Sequence, residues 1–279
     1  TPTSDDDIPL VDTSAAQSIR LLATATSPLI YHDVVEYFLK LGLFTGHQTS
    51  ESKIPFSVAY IEDNRYVNFI TRSFDPIPLS SIQMNYVPSV QEKVWDTFKI
   101  LEEATSGLVI INGPVGTGKS YLIRSLLSEN LKKRGVICTP PLSFLQNSGY
   151  FINTITRFKQ PIIILEDVGD ILAMDAPSSY VDISSTLLNY SEGLLSLLSK
   201  TIFILSFNYD LGKINPAFTR PGRCLSQMTI PLLPHQQAES ITKLSLPTRA
   251  YSLAEVYEIK RTGKPMEIFS GKPLGLTGR

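Results

Sequence analysis

The sequence is poor in cysteine and carries no excess of either charge. Cys138 and Cys224 are its only cysteines, too few for a disulfide scaffold or for a zinc site made of sulfur ligands alone. We therefore expect two buried thiols in a reducing compartment and no metal bound by sulfur. With 25 Lys and Arg residues against 26 Asp and Glu residues, the net charge of -1 gives no sign of a general polyanion binder.

Long apolar runs are also missing. No stretch of about 18 apolar residues, the length that crosses a membrane as a helix, occurs in the chain. The first residues, TPTSDDDIPL, are acidic where a secretory signal is basic and then apolar. We therefore expect a cytoplasmic protein without integral membrane contact.

The N-terminal part of the chain predicts a region of mixed helix and strand, residues 1–84. Apolar residues recur at helical spacing in residues 15–44, and Ser27-Pro28 divides this stretch into two helices. Residues 56–74 place β-branched and aromatic residues in alternation on both sides of EDNR, which predicts a β-hairpin.

From about residue 85 the pattern changes. A helix is predicted over 87–103, and short, fully apolar runs then alternate with helical segments. Such runs suit strands that are buried on both faces of a parallel sheet. The predicted strands are 108–112, 136–139, 161–167, 201–208 and 228–233. We predict an α/β core over residues 85–233 and a short helical lid with a tail over 234–279.

The segment GPVGTGKS, residues 113–120, matches the full phosphate-loop pattern and lies between a predicted strand and a predicted helix. Its glycines allow backbone N–H groups to surround phosphate oxygens at the start of the helix. Lys119 is suited to the β and γ phosphates, and the Ser120 hydroxyl to Mg²⁺. The segment predicts a nucleoside triphosphate site formed by Gly113, Pro114, Val115, Gly116, Thr117, Gly118, Lys119, Ser120 and Tyr121. The fold class is therefore a P-loop NTPase: a three-layer αβα arrangement around a parallel sheet.

Two carboxylates and an amide follow later strands. Glu166 and Asp167 end the run PIIILED, and Asn208 ends TIFILSFN. A phosphate loop needs a carboxylate for Mg²⁺ and a group that orients or deprotonates the attacking water. Strand register favours Glu166 on the metal side and Asp167 on the water side, with the reverse assignment open; Asp170 is a weaker candidate that suits the turn. Asn208 suits contact with the water or the γ-phosphate, and capping of the strand is the alternative.

These segments together resemble a known family. GPVGTGKS, ILED, SFN and INPAFTRPGR, in this order and spacing, resemble the AAA branch of the AAA+ ATPases over about residues 85–235. In motif style the chain is most similar to the subfamily of the mitochondrial Rieske-protein translocase, as is the stretch RSFDPIPLSSI at 72–82. The order Glu-Asp, where the family usually has Asp-Glu, is a departure.

The resemblance implies roles for residues that their own pattern leaves open. Asn208 corresponds to the first sensor residue, and Arg220 and Arg223 correspond to arginines that enter the neighbouring subunit's site. It further implies ATP and Mg²⁺ as cofactors and a homo-oligomer, ring or helical and hexamer-like. Arg249 and Arg261 are candidates for a second sensor in a lid that is short for the family. Tyr150 and Phe151 lie where threading members carry a pore loop, although aromatic residues that open a helix also suit a core.

We therefore expect an oligomeric ATPase that remodels or translocates a macromolecule, with protein favoured over nucleic acid. The alternatives are a nucleic-acid motor or loader of the wider AAA+ group and a scaffold in which ATP controls assembly without hydrolysis. The near-neutral charge and the absence of a basic, aromatic-laced stripe in the sequence count against the nucleic-acid alternative.

Overall fold

The computed structural model describes residues 53–264, with short gaps at 64–65, 78–79, 130–132, 134, 193–195, 198–199 and 209. These residues belong to one compact unit that begins at Ser52. The two helices predicted in residues 15–44 lie outside the described residues.

The described strands form a single seven-stranded sheet in the order β2-β1-β4-β5-β6-β3-β7. The neighbouring strands are parallel except for the antiparallel hairpin β1–β2. The strands are β1 (Ile54–Glu62), β2 (Tyr66–Phe74), β3 (Gly107–Asn112), β4 (Gly135–Cys138), β5 (Ile162–Leu165), β6 (Ile202–Phe207) and β7 (Cys224–Thr229).

Helices connect and cover these strands, and short 3₁₀ turns at Ser178–Tyr180, Leu211–Lys213 and Pro216–Phe218 complete the connections. The helices are α1 (Ser80–Asn85), α2 (Pro88–Glu103), α3 (Lys119–Glu129), α4 (Pro141–Gln146), α5 (Ser148–Arg157), α6 (Gly169–Leu172), α7 (Val181–Ser191), α8 (His235–Thr242) and α9 (Leu253–Thr262).

The core lies on both faces of the sheet. Every residue of β3, β5 and β6 is buried. Because side chains alternate along a strand, Val109 and Ile111 pack with α2, α3, α8 and α9, whereas Leu108 and Ile110 pack with α4 to α7. This three-layer α/β architecture is the one predicted from the continuous apolar runs.

The β-hairpin was expected in a separate N-terminal region, but its strands extend the core sheet. β1 runs parallel to β4, and Phe56 to Ala59 pair with Gly135 to Cys138. The alternating pattern identifies the hairpin because it is local. The hairpin joins the sheet by pairing with β4, which lies far along the chain. The hairpin's own residues do not specify this partner. The sheet therefore crosses the expected boundary between residues 84 and 85.

Two predicted strands have different limits in the structure. The strand predicted at 161–167 ends at Leu165, before the two carboxylates, because Asp167 adopts a left-handed backbone conformation with φ of 56°. The strand predicted at 228–233 instead covers Cys224–Thr229. Pro231 lacks the N–H that would continue the ladder.

Phe151, one of the two aromatic residues considered for a pore loop, belongs to the core. It lies on α5, its side chain is 1% exposed, and its ring stacks on Phe203 with centroids 5.8 Å apart. Tyr150 is half-buried against the same cluster. Of the two interpretations made from the sequence, core packing is therefore the correct one for Phe151.

We predict that Phe151→Ala lowers the free energy of unfolding by about 3–5 kcal/mol, because it leaves a cavity beside Phe203. The neighbouring Ile152, which is 43% exposed, provides the control, and Ile152→Ala should cost less than about 1 kcal/mol. Chemical denaturation of both variants measures the difference. Equal, small effects would contradict the placement of Phe151 in the core.

Candidate functional site

The phosphate loop joins the end of β3 to the start of α3, and its backbone requires glycine. Gly113, Gly116 and Gly118 have φ of 155°, 78° and 93°. A Cβ atom on Gly113 would lie 2.3 Å from the carbonyl oxygen of Ile230, and one on Gly118 would lie 2.7 Å from Leu253 Cδ2. The loop is therefore fitted against the chain that follows β7 and against α9.

Lys119 lies at the centre of this loop. Its side chain is buried, and Nζ donates hydrogen bonds to the carbonyl oxygens of Gly113 at 2.9 Å and Pro114 at 3.0 Å. Burial lowers the pKa of the Lys119 ammonium, and the nearby Asp167 and Glu166 carboxylates oppose that shift. The carbonyl groups of the loop thus hold the Lys119 ammonium group at the place where phosphate oxygens would bind.

The two carboxylates after β5 have different partners. Ser120 Oγ donates a 2.5 Å hydrogen bond to Glu166 Oε1, and Asn208 Nδ2 donates a 3.2 Å hydrogen bond to Asp167 Oδ1. The left-handed conformation of Asp167 turns the chain between the two side chains, and Asp tolerates this conformation better than most residues. The structure therefore groups Glu166 with the phosphate loop and Asp167 with the end of β6.

Most of the residues predicted for the site line a single cavity of about 560 Å³. Gly113, Pro114 and Thr117 do not line it; Thr117 Oγ1 instead donates to the Pro114 carbonyl at 2.9 Å and braces the loop. The predicted residues that line the cavity are Val115, Gly116, Gly118, Lys119, Ser120, Tyr121, Glu166, Asp167 and Asn208.

Residues that were not predicted for the site complete the cavity wall. Asn85, Ser206, Leu253, Ala254 and Tyr257 also line it. Tyr257 donates a hydrogen bond to Asn85 Oδ1 at 2.7 Å, and Ala254 N donates to the Gly116 carbonyl at 2.9 Å. Ser206 belongs to the SFN segment, in which only Asn208 was predicted for the site. Sequence reasoning missed the other four because only the folded chain brings α1 and α9 to the loop.

Tyr86, directly after α1, is hydrogen-bonded to the phosphate loop. Its side chain is 1% exposed, and its hydroxyl donates a 2.8 Å hydrogen bond to the Gly118 carbonyl. Burial raises the pKa of Tyr86 above its ordinary value, so the hydroxyl remains a donor. The Tyr86 carbonyl accepts hydrogen bonds from Gln91 at 2.6 Å and from Gln237 of α8 at 3.0 Å. This segment links the loop to the lid.

Neither lid arginine considered as a second sensor is among the residues that line the cavity. Arg249 pairs with Glu255 at 3.1 Å, and its guanidinium lies 3.9 Å from the centroid of the Tyr251 ring. Arg261 pairs with Glu258 one turn back on the exposed face of α9. The structure does not bring either side chain to the site.

Arg220 and Arg223 also do not line the cavity of their own chain. They lie on either side of a turn in which Gly222 has φ of 91° and Cys224 N donates to the Arg220 carbonyl at 3.0 Å. Arg220 is exposed, whereas the Arg223 side chain is 18% exposed. Pro221 and Gly222 thus form a sharp turn between the two arginines.

The site offers oxygen donors for a hard cation. The Ser120 hydroxyl and the Glu166 carboxylate are the donor types that Mg²⁺ prefers, and Mg²⁺ takes its remaining ligands from water and substrate phosphates. Among the described residues, no group of three or more His, Cys, Asp or Glu side chains could hold a metal ion by itself. The residues present therefore fit a cation that binds together with a nucleotide.

The two cysteines lie elsewhere. Cys138 is buried, and burial raises its thiol pKa to about 12; Cys224 is half-buried, and burial raises its pKa also. Both are free thiols. Within the part of the chain that the structure describes, no helix is long and apolar enough to span a membrane.

A segment of the chain is similar to a known protein family. Residues 109–232 match the model of the ATPase family associated with various cellular activities (AAA). The matched segment contains the phosphate loop, both carboxylates, Asn208 and both arginines, and the sheet with its flanking helices is a three-layer P-loop NTPase fold. No curated protein matches the chain. The family match does not distinguish subfamilies, so the similarity to the Rieske-protein translocase group stays a prediction.

We predict that Tyr86→Phe weakens ATP binding several-fold and lowers the free energy of unfolding by about 1 kcal/mol, because the Gly118 carbonyl loses one of its two donors and keeps only Leu122 N. Tyr251→Phe is the matched control, since Tyr251 is equally buried and donates to the Pro247 carbonyl at 2.7 Å. It should lower stability similarly and leave the ATP dissociation constant unchanged. Calorimetric titration and thermal melting measure both effects; equal ATP affinity in the two variants would show that Tyr86 does not position the loop.

Proposed function

We propose that this chain is a Mg²⁺-dependent ATPase of the AAA type that works as an oligomer, in which each subunit supplies arginines to its neighbour's site. The observation that carries this proposal is the position of the RPGR turn. β7 is parallel to β3, with Cys224 paired to Leu108 and Thr229 to Asn112. Arg223 therefore precedes β7 at one end of the sheet, whereas the phosphate loop follows β3 at the other.

The distance between these two ends argues against action within one chain. At about 3.3 Å per residue, the six residues of β7 separate them by about 20 Å. The Arg223 carbonyl is fixed to the sheet by a 2.9 Å hydrogen bond from Leu108 N. An arginine at this position is separated from its own site by the length of β7 and suits a site on a neighbouring subunit.

The partners of the two carboxylates support separate roles for them. In this proposal, Ser120 and Glu166 would hold Mg²⁺, directly or through water, and the ion would supply positive charge beside the phosphate oxygens. Asp167 accepts a proton from the attacking water or orients it, and Asn208 fixes the Asp167 side chain and contacts the water or the γ-phosphate. Lys119 binds the β and γ phosphates.

Adenine as the base is inferred from the family, and the sequence lacks the Asn-Lys-x-Asp type of motif that selects guanine. Arg220 and Arg223 stabilise the charge that develops on the γ-phosphoryl oxygens of the neighbour. We further propose that the oligomer is a ring or helix, hexamer-like, that remodels or translocates a macromolecule, with protein favoured.

We predict that Asp167→Asn keeps ATP affinity and lowers turnover by about 10²–10⁴-fold, the range expected when a general base is lost. Asp170→Asn, two positions before the end of α6, is the matched control and should keep turnover near that of the unmodified protein. Phosphate release and binding of a fluorescent ATP analogue give the two readouts. Turnover of the unmodified protein no faster than that of Lys119→Ala would instead support a non-hydrolysing scaffold.

A second prediction concerns the arginines. Turnover per subunit should rise with protein concentration, and two inactive variants, Arg223→Ala and Asp167→Asn, should partly restore activity when mixed. The restored sites combine the carboxylates of the first variant with the arginines of the second. Activity of the mixture equal to the sum of its parts would mean that the arginines serve their own subunit.

A further inference from the structure

The Arg223 side chain is held from two directions within its own chain. Nη1 donates a 2.7 Å hydrogen bond to the Ala217 carbonyl, and Nε lies 2.9 Å from Glu192 Oε2. Nε is buried and makes no aligned hydrogen bond to any described residue. Its contact with Glu192 is therefore an ion pair at hydrogen-bond distance.

Glu192 is placed for this contact by the end of α7. Its N–H donates to the Leu188 carbonyl at 3.2 Å and closes the last turn of the helix. A Cβ atom on Gly222 would lie 3.7 Å from Glu192 Oε1, so the carboxylate also lies beside the RPGR turn. One carboxylate thus pairs with the guanidinium and lies beside the turn that carries it.

The two arginines of the motif differ in this respect. Arg220 is exposed, and in the described part of the chain no side chain is bonded to its guanidinium. Arg223 is held at Nε by Glu192 and at Nη1 by the Ala217 carbonyl, on two different edges of its guanidinium. A guanidinium has five N–H donors in a rigid plane, and no described residue accepts a hydrogen bond from Nη2. The fixed side chain therefore leaves one terminal nitrogen, Nη2, for a further acceptor.

We propose that Glu192 is a positioning residue that orients Arg223 toward the phosphate in the neighbouring subunit's site. This inference rests on the proposed inter-subunit role of Arg223. A long, flexible side chain contributes to catalysis only when it is held in a productive geometry, and a displacement of about 1 Å can cost as much as 10²-fold in rate. The carboxylate holds Nε and the Ala217 carbonyl holds Nη1, which leaves Nη2 for the phosphate oxygens.

Mixing the two inactive variants tests this role, because one variant then supplies the intact nucleotide site and the other supplies the intact arginines. Arg223→Ala subunits are acceptors, with intact carboxylates and phosphate loops, and Asp167→Asn subunits are donors, with intact arginines. We expect Glu192→Gln in the donor to lower the restored activity about tenfold. In the acceptor, whose Arg223 side chain is already absent, the same substitution should have a much smaller effect. A merely structural role would not produce this asymmetry.

Matched variants control for charge and folding. Asp182→Asn in the donor removes an exposed carboxylate from the first turn of the same helix and should leave the restored activity unchanged. Glu192→Asp keeps the charge on a shorter side chain and should restore part of the loss. Because the Glu192 side chain is 47% exposed, we expect Glu192→Gln to fold, which thermal melting and the size of the ATP-bound assembly verify.

A second readout does not depend on turnover. Retention of labelled ADP with aluminium fluoride, which mimics the phosphoryl group in transfer, should fall in mixed oligomers when the donor carries Glu192→Gln. Equal retention and equal restored activity for donors with and without Glu192→Gln would overturn the role of Glu192 and leave the inter-subunit function intact. Higher activity, or a loss that follows loss of assembly, would also overturn it. No restored activity in the parent mixture would overturn the proposed function itself, and this inference with it.

Discussion

The parallel pairing of β3, β5 and β6, buried on both faces, is the constraint on which the site depends. Parallel strands end at the same edge of the sheet, so the phosphate loop, the two carboxylates and Asn208 meet there although they lie far apart in the sequence. The buried Ile, Leu, Val and Phe side chains of these strands fix the register. The polar residues after each strand then need only short turns to reach one another.

The same constraint separates the arginines from the nucleotide site. Because β7 pairs in parallel with β3, the residues before β7 lie at the opposite edge from the residues after β3. Parallel pairing thus accounts both for the residues that meet at the site and for the separation of the arginines from them. The ion pair between Glu192 and Arg223 belongs to this second edge, where it connects the RPGR turn to the end of α7.

The sequence was most informative where one segment determines its own structure. The apolar runs of β3 and β6 predicted their strands within one residue, and the full GPVGTGKS pattern located the loop. It was least informative where distant residues meet. The pairing of β1 with β4, the Tyr86 bond to the loop and the Glu192 contact depend on tertiary packing, and no local pattern encodes them. Phe151 illustrates the intermediate case, since an aromatic residue at the start of a helix suits either a pore or a core.

The central claim is that Arg220 and Arg223 complete the site of another subunit. Electron cryomicroscopy of the protein with Mg²⁺ and a slowly hydrolysed ATP analogue tests it most directly. The account predicts an oligomer in which Arg223 of one subunit contacts the γ-phosphate bound by Lys119 and Ser120 of the next. Nucleotide-loaded single subunits, or a γ-phosphate contacted only by side chains of its own chain, would contradict it.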